Sequence, residues 1–381
     1  MKNFTFQNTT KLIFGKGTIA KLSTEIPADK KILVTFGGGS VKTNGVYDQV
    51  KNALKNHNTI EFWGIEPNPD IATLRKAIEL GKKENVDFLL SVGGGSTLDG
   101  TKLIAAAIPS LYDGWDLVTG EKPIEKVLPI ASVMTLPATG SEMNKNAVIS
   151  NREIKEKYSL AIENPIFSIL DPETTFSLPD YQIANGIADT FVHVMEQYLT
   201  TKDASPLMDR WAESILQTLV EVAPKIKENK HDYDNMSTFM LCATMALNNI
   251  ISMGVVQDWS THQIGHELTA LHGVTHGESL AIVLPAVMKQ LRQQKLEKIL
   301  QYGKRVWNIN EHDTDIATEN AIVATESFFR SLGLATRLSD LKIGEATINE
   351  ISNRFSERNT IMGEANNIDG KIVKQILTLA L

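Results

Sequence analysis

Two copies of one pattern, a short apolar strand followed at once by Gly-Gly-Gly-Ser, restrict the fold of this chain more than any other feature. The first copy is Lys31–Phe36 with the loop 37–40, and the second is residues 87–92 with the loop 93–96. Mainly apolar runs of this length are typical of strands buried on both faces of a parallel sheet. Helical patterns separate them from further predicted strands at 59–63 and 128–136. This alternation predicts an open, parallel α/β sheet.

Each glycine loop precedes a predicted helix, and this arrangement favours a bound anion. Glycines let the backbone approach a ligand closely, and the N–H groups at a helix N-terminus attract negative charge. Ligands of open α/β sheets lie along the carboxyl edge of the strands, where both loops are expected. Neither loop matches G-x-G-x-x-G or G-x-x-x-x-G-K-[ST]. The sequence therefore predicts a phosphate-bearing ligand without an ordinary Rossmann fingerprint or P-loop.

From Pro179 onwards the chain changes to long amphipathic segments, and strand signals nearly disappear. A length of 381 residues is natural for two domains. We predict an α/β dinucleotide-binding domain at residues 1–178 and an all-helical metal-binding domain at residues 179–381. The predicted helices of the second domain are residues 186–199, 208–228, 233–251, 291–306, 315–332 and 371–379.

The helical half contains one carboxylate and several imidazoles at spacings that suit a metal ion. Asp189 and His193 are four residues apart, as are His262 and His266, and residues at that spacing share one helix face. His276 follows in the next segment. Imidazoles and a carboxylate without a thiolate suit Zn²⁺ or Fe²⁺ better than Mg²⁺ or Ca²⁺. The alternative is that these histidines are surface residues or hydrogen-bonded core residues.

Composition excludes several other classes of function. The net charge of −7 and pI near 5.7 argue against a nucleic-acid-binding surface. The single cysteine, Cys242, stands in an apolar run, which indicates core packing and is typical of a reducing cytoplasm. We find neither a signal peptide nor a membrane-spanning run, and we expect a cytoplasmic protein without a membrane partner.

A phosphate-rich ligand on the sheet and a metal among the helices together predict hydride transfer. The metal would polarise a carbonyl oxygen, and a nicotinamide would deliver hydride to the carbonyl carbon. A metal-dependent hydrolase that only binds phosphates is an alternative, but it leaves the second glycine loop unexplained.

The motifs as a group resemble the iron-containing, or group III, alcohol dehydrogenases, and most closely the branch of NADPH-dependent butanol dehydrogenases and aldehyde reductases. The resemblance covers nearly the whole chain. The motifs that carry it are residues 37–45 (GGGSVKTNG), 93–99 (GGGSTLD), 136–142 (LPATGSE), Asp189-x-x-x-His193, 261–268 (THQIGHEL), 276–285 (HGESLAIVLP) and 366–369 (NNID).

The resemblance implies an N-terminal dinucleotide-binding domain, an all-helical C-terminal domain and a homodimer. It implies one divalent metal, Fe²⁺ or Zn²⁺, with Co²⁺ and Ni²⁺ also acceptable to the donor set. His266 would lie in the substrate pocket and relay a proton, unless water does so, whereas His272 matches no ligand position. The implied metal ligands are Asp189, His193, His262 and His276. The implied cofactor contacts are Gly38, Gly39, Ser40, Asn68, Gly94, Gly95, Ser96, Asp99, Thr135, Thr139, Asn146 and Lys157.

Position 39 carries the prediction of cofactor preference. NAD-specific relatives often have an aspartate there, which would repel a 2′-phosphate, but this chain has Gly39 followed by Ser40 and, nearby, Lys42. We therefore expect NADP(H) rather than NAD(H), and small or medium aldehydes or primary alcohols as substrates. Two alternatives stay open: a glycerol-dehydrogenase-like polyol enzyme, and a dehydroquinate-synthase-like lyase, although the latter needs basic residues that the segment 259–271 lacks.

Overall fold

The computed structural model describes residues 1–200 and 205–381, which form two compact units. The α/β unit contains Gln7–Leu178 and Lys230–Thr244, and the helical unit contains Met1–Phe6, Pro179–Asn229 and Met245–Leu381. Two short segments therefore lie on the other side of the boundary predicted between residues 178 and 179. For the segment 230–244 the reason is its packing: Met240 is fully buried in the apolar core of the α/β unit. In the same unit, Thr244 Oγ1 donates to Glu142 Oε1 over 2.5 Å.

The main sheet is parallel throughout, as the sequence predicted. The strands in the described part of the chain are β1 (Lys11–Phe14), β2 (Lys31–Phe36), β3 (Asn58–Phe62), β4 (Phe88–Gly94), β5 (Ile130–Leu136), β6 (Asn146–Asn151), β7 (Glu156–Ala161) and β8 (Phe167–Leu170). The strand order of the main sheet is β1-β8-β5-β4-β2-β3, and β6 and β7 form a separate two-stranded antiparallel hairpin.

The alternation of side chains along the central strands divides the core into two layers. Leu33 and Leu89 point into one apolar cluster, and their neighbours Val34 and Leu90 point into the other. Helices cover both faces, and the central strands β2, β4 and β5 are therefore mainly apolar and buried along most of their length. The helices of this unit are α1 (Leu22–Glu25), α2 (Ser40–Thr43), α3 (Val46–Ala53), α4 (Ile71–Glu84), α5 (Gly95–Ala107), α6 (Gly114–Thr119) and α9 (Tyr233–Ala246, which ends in the helical unit).

Local capping sets the start of α4, because Asp70 precedes the amphipathic run 71–84 and the sequence predicts it as the helix N-cap. Asp70 Oδ1 accepts from Ala72 N over 2.9 Å and so satisfies one unpaired N–H of the first turn. The hairpin β6–β7, strand β8 and helix α6 were not predicted. The hairpin strands are rich in Asn, Ser, Lys and Glu, and they lack the apolar run by which the central strands were recognised.

The helical unit is built around α7 (Asp180–Tyr198), whose residues are buried without interruption from Ile183 to Tyr198. Helices α10 (Ser260–His272) and α11 (His276–Gln290) pack together, and the apolar cluster of this unit includes Ile264 on α10 and Val283 on α11. Among the described residues, no helix combines the length and apolarity needed to cross a bilayer. The helices are α7 (Asp180–Tyr198), α8 (Pro206–Glu228), α10 (Ser260–His272), α11 (His276–Gln290), α12 (Leu296–Val306), α13 (Thr314–Ser331), α14 (Glu345–Glu357) and α15 (Gly370–Leu379).

Candidate metal centre and nucleotide-binding edge

Helix α7 directs three polar side chains toward one place in the helical unit. Asp189, His193 and Glu196 follow at positions i, i+4 and i+7, which lie on one face of a helix. All three are buried, in a helix whose other residues are largely apolar. Buried ionisable side chains need partners, and these are supplied by α10 and α11.

Three imidazoles surround a single carboxylate oxygen. Asp189 Oδ1 lies 3.5 Å from His193 Nε2, 3.6 Å from His262 Nε2 and 3.6 Å from His276 Nε2. Donor atoms bound at about 2.1 Å in a tetrahedron are about 3.4 Å apart, so the three separations from Asp189 Oδ1 match edges of a four-coordinate Fe²⁺ or Zn²⁺ site. The group whose ligand atoms all lie within 4.8 Å of one another is Asp189, His262 and His276, and His193 joins it through Asp189.

Asp189 Oδ1 and His262 Nε2 are buried atoms of this cluster that have no hydrogen-bond partner. Leaving such atoms unsatisfied costs about 1–3 kcal/mol each, and more when the group is charged. A cation between them satisfies both at once. The donor set and the two unsatisfied atoms therefore fit a divalent metal.

Glu196, which is not among the site residues predicted from the sequence, orients His262 through its Nδ1 atom. The Glu196 carboxylate is hydrogen-bonded to His262 Nδ1, and its Oε1 accepts from the backbone N–H of Thr261 over 2.6 Å and of His262 over 3.3 Å. An imidazole whose Nδ1–H is bound by a carboxylate presents Nε2 to the metal. The signal was available, because Glu196 lies on the same face of α7 as Asp189 and His193.

The electrostatics of the pocket favour a bound cation. Burial raises the pKa of Asp189, but the imidazoles of His193, His276 and His262 outweigh it and hold that pKa well below its ordinary value. Burial also lowers the pKa of His262, and the carboxylates of Glu196 and Asp189 reverse this and raise it to about 9. The two carboxylates thus stabilise positive charge in this buried cluster.

A close approach of two helices places His276 beside α7. A Cβ added to Gly277 would lie 2.2 Å from Asn185 O, so α11 begins against the α7 backbone at a distance that only glycine permits. The Asn185 side chain accepts from Glu278 N over 2.8 Å and caps the first turn of α11. His276, the first residue of α11, is therefore positioned by the same turn of α7 that precedes Asp189.

The remaining histidines differ in their surroundings. His266 is half-buried one turn after His262, with its ring centroid 5.3 Å from that of His276 and 6.3 Å from that of His262. His272 is exposed at the end of α10 and bonded to Thr347 Oγ1 at 2.9 Å. Cys242 is buried, as predicted, and burial raises its pKa to about 12.

In the α/β unit, the two glycine loops follow neighbouring strands. Phe36, the last residue of β2, is paired with Val92 of β4. The loop that follows β2, with Gly38, Gly39 and Ser40, therefore begins next to the end of β4 at Gly94. Gly39 has φ +102°, and a side chain added at Gly38 or Gly39 would meet no atom within 4 Å. Open space beside the end of β2 leaves room for a dinucleotide lying on the sheet edge.

The second loop opens directly into the N-terminus of α5. Gly94 is the N-cap and Gly95 the first helical residue, so the first-turn N–H groups are available to an anion. Thr139, from the turn after β5, lies against this loop: a Cβ on Gly95 would be 2.3 Å from Thr139 Oγ1. Thr135 is buried in β5, four residues earlier.

Three other predicted cofactor residues meet beside α5. Lys157 Nζ lies 2.9 Å from Asn68 Oδ1, and Asn68 N donates to Ser96 Oγ over 3.3 Å. Asp99 instead faces inward and accepts from Ser141 Oγ and from the backbone of β6. Asn146 is half-buried at the start of β6. Asn68, Ser96 and Lys157 are thus in contact with one another in a chain of hydrogen bonds. Asp99 lies below the loop, where it binds Ser141 and the β6 backbone.

A parallel sheet with two phosphate-type loops, accompanied by a buried aspartate–histidine cluster on helices, is the pattern of a metal-dependent dehydrogenase. Comparison with known proteins agrees. The profile of iron-containing alcohol dehydrogenases matches residues 9–172, and the C-terminal profile of the Fe-containing alcohol dehydrogenase family matches residues 183–381. The chain belongs to the iron-containing alcohol dehydrogenase family, and the predicted family and its alcohol–aldehyde oxidoreductase chemistry are confirmed.

Individual relatives extend over the full length. The NADPH-dependent aldehyde reductase YqhD of Escherichia coli K12 is 47% identical over 386 residues, covering 100% of each chain. The probable NADH-dependent butanol dehydrogenase 1 of Bacillus subtilis is 39% identical, also over 100% of each. The crystal structure of E. coli YqhD superposes with a TM-score of 0.98 at 46% identity, covering 100% of this chain and 99% of that one. The NADH-dependent butanol dehydrogenase A of Thermotoga maritima gives 0.95 at 35% identity, with the same coverage.

Proposed function

We propose that this chain is a metal-dependent reductase that uses NADPH to convert small and medium aldehydes to primary alcohols, reversibly. The observation that carries the proposal is the set of three imidazole nitrogens 3.5–3.6 Å from one buried oxygen of Asp189. Relatives of this family whose names give NADPH-dependent aldehyde reduction or NADH-dependent butanol oxidation support the substrate class.

In this proposal Asp189, His193, His262 and His276 hold the metal, and the chain orients them before substrate arrives. The metal, when bound, supplies a Lewis acid for the carbonyl oxygen, and the nicotinamide supplies hydride. Glu196 keeps His262 in the tautomer that directs Nε2 inward. The buried, largely apolar surroundings of α7 exclude water and strengthen these interactions.

The proton that completes the alcohol comes from His266 or from water. His266 is half-buried one helical turn from a proposed ligand, a position from which an imidazole can serve as a general acid. If His266 is the donor, His266→Gln lowers kcat about 10²- to 10⁴-fold. An unchanged kcat assigns the proton to water.

Activity with butanal tests the core of the proposal. NADPH absorbance is followed with purified protein, after exhaustive chelation, and after addition of Fe²⁺, Zn²⁺, Co²⁺ or Ni²⁺. We expect consumption that is lost on chelation and restored by a metal. Near-wild-type turnover of metal-free His262→Ala, or equal activity before and after chelation, would refute the Lewis-acid role.

We further propose that the cofactor is NADP(H), bound along Gly38, Gly39, Ser40, Gly94, Gly95 and Ser96. Two features near position 39 support the preference. Gly39 leaves open space and contributes no carboxylate. The Lys42 ammonium lies 3.9 Å from the centroid of the Trp63 ring, and this cation–π contact keeps a positive charge close to the loop. The names of several relatives give NADH, so the preference depends on these residues and not on family membership.

The ratio of kcat/KM for NADPH and NADH measures this preference. The wild type should favour NADPH, and Gly39→Asp should reverse the ratio, because a carboxylate repels a 2′-phosphate and accepts from a 2′-hydroxyl. A wild type that favours NADH contradicts the proposal, and Gly39→Asp should then have little effect.

We also propose a homodimer, on the strength of the resemblance to the family. Light scattering of the purified protein should give twice the 42.0 kDa mass of one chain. A monomer mass at micromolar concentration would exclude it.

A further inference from the structure

Lys102 is a charged side chain in the core of the α/β unit for which the proposed mechanism has no role. It extends from α5, is completely buried, and is among the largest fully buried side chains of the protein. A buried ammonium is costly unless it is fully hydrogen-bonded. Lys102 therefore needs a structural explanation.

The Lys102 ammonium lies among five oxygen atoms of a single turn. Its Nζ is 2.8 Å from Ser141 O, 2.7 Å from Ser141 Oγ, 2.8 Å from Asn144 O, 3.4 Å from Asn144 Oδ1 and 2.7 Å from Asn146 O. Three of these atoms are backbone carbonyl oxygens. Oxygens converging from several residues are the surroundings by which proteins bind a bare monovalent cation.

The turn that these oxygens belong to connects with the second glycine loop. Thr139 Oγ1 accepts from Ser141 N over 3.2 Å, and the same Thr139 is the residue that packs against Gly95. One turn before Lys102 on α5, Asp99 accepts from Ser141 Oγ over 2.7 Å and from Val148 N over 3.0 Å. Lys102 and Asp99 thus fasten one turn to the helix whose N-terminus faces the proposed pyrophosphate.

We propose that the Lys102 ammonium acts as a built-in monovalent cation, which holds the turn 139–146 against the first turn of α5 and so positions the pyrophosphate end of the dinucleotide site. The inference rests on the proposed function, since it assumes that a dinucleotide binds there. Lys102 is a positioning residue, because it acts through Thr139 and Asn146. Burial lowers the pKa of Lys102 to about 8, and Asp99 and Glu142 act to raise it, so the side chain keeps its charge near neutral pH.

Chemical rescue distinguishes this role from ordinary packing. Lys102→Ala removes a three-carbon chain and its ammonium, which together correspond to propylammonium. An internal cavity takes up a ligand that matches its shape, and here the ligand would also restore hydrogen bonds to the orphaned oxygens. Lys102→Met fills the same space with an uncharged side chain and leaves no room for the cation.

The readout is the dissociation constant of NADPH, measured by fluorescence titration of the full-length protein in tetramethylammonium chloride, with and without propylammonium. We expect Lys102→Ala to bind NADPH about 10- to 100-fold more weakly, by analogy with the loss of a residue that orients a metal ligand. Propylammonium should restore its affinity but not that of Lys102→Met.

Lys298→Ala is the matched control, because Lys298 is a buried lysine of the helical unit, paired with Asp209 at 2.6 Å. It should bind NADPH as the wild type does, whether or not propylammonium is present. Three results overturn the inference: wild-type NADPH affinity of Lys102→Ala without propylammonium, a deficit that propylammonium does not reduce, or a Lys102→Ala protein that remains unfolded in both salts. A wild-type protein that binds no NADPH refutes the proposed cofactor instead.

Discussion

The close approach between α11 and α7 makes Gly277→Ala the sharpest test of how the metal centre is built. The added Cβ would lie 2.2 Å from Asn185 O and 2.8 Å from Asn185 C and Cα, all of them backbone atoms of α7. No side-chain rotation relieves such a contact. Ordinary contact at about 3.5 Å requires the two helices to separate locally by roughly 1 Å.

That displacement is large on the scale of metal coordination. His276 immediately precedes Gly277, and its Nε2 lies 3.6 Å from Asp189 Oδ1. Metal–ligand distances tolerate only about 0.2 Å, so a shift of roughly 1 Å removes His276 from the coordination sphere or distorts it severely. We expect metal affinity to fall about 10- to 100-fold and stability to fall by about 1–3 kcal/mol.

Titration of metal-free protein with Co²⁺, followed by its visible absorption, measures the affinity and reports the coordination geometry. Gly344→Ala is the control, because a methyl group there meets no atom within 4 Å and φ is −124°. It should leave Co²⁺ binding unchanged. Wild-type affinity and an unchanged spectrum for Gly277→Ala would show that His276 is not positioned by this helix contact.

Three further predictions follow from single contacts. Glu196→Gln should weaken metal binding about 10- to 100-fold, seen in the same Co²⁺ titration, because an amide stabilises the required tautomer of a ligand histidine less well than a carboxylate; unchanged affinity would contradict this. Lys157→Met should raise the NADPH dissociation constant and reduce its dependence on salt, whereas equal salt dependence would exclude a phosphate contact. The Arg75 guanidinium lowers the pKa of Asp113 below its ordinary 3.8. This half-exposed pair stabilises the fold by at most about 1 kcal/mol. Its contribution is complete above pH 3.8 and is lost as the pH falls below the lowered pKa of Asp113. Asp113→Asn should therefore be less stable than the wild type in urea at pH 7, and the difference should shrink at pH 3.

Local patterns along the chain were enough to predict much of the architecture. The runs of β2 and β4 indicate strands covered on both faces because, after Lys31, every residue in them is apolar or small. Asp70 predicts the start of α4 because an aspartate before an amphipathic run satisfies the first free N–H groups. The Asp189–His193 spacing predicts a shared helix face because the α-helix has 3.6 residues per turn. Each inference depends only on neighbours within a turn or a strand.

Other features depend on residues far apart in sequence, and only the tertiary structure decided them. The insertion of β8 between β1 and β5, and the packing of residues 230–244 with the α/β unit, follow from how the whole core is filled. Helical periodicity places Glu196 on the same face of α7 as Asp189 and His193, but its partner is decided only by the tertiary structure, in which α10 places His262 Nδ1 at the Glu196 carboxylate. Helical periodicity places donors on a face, but the distance between two faces is set by the side chains that pack between them, and here by the absence of one at Gly277.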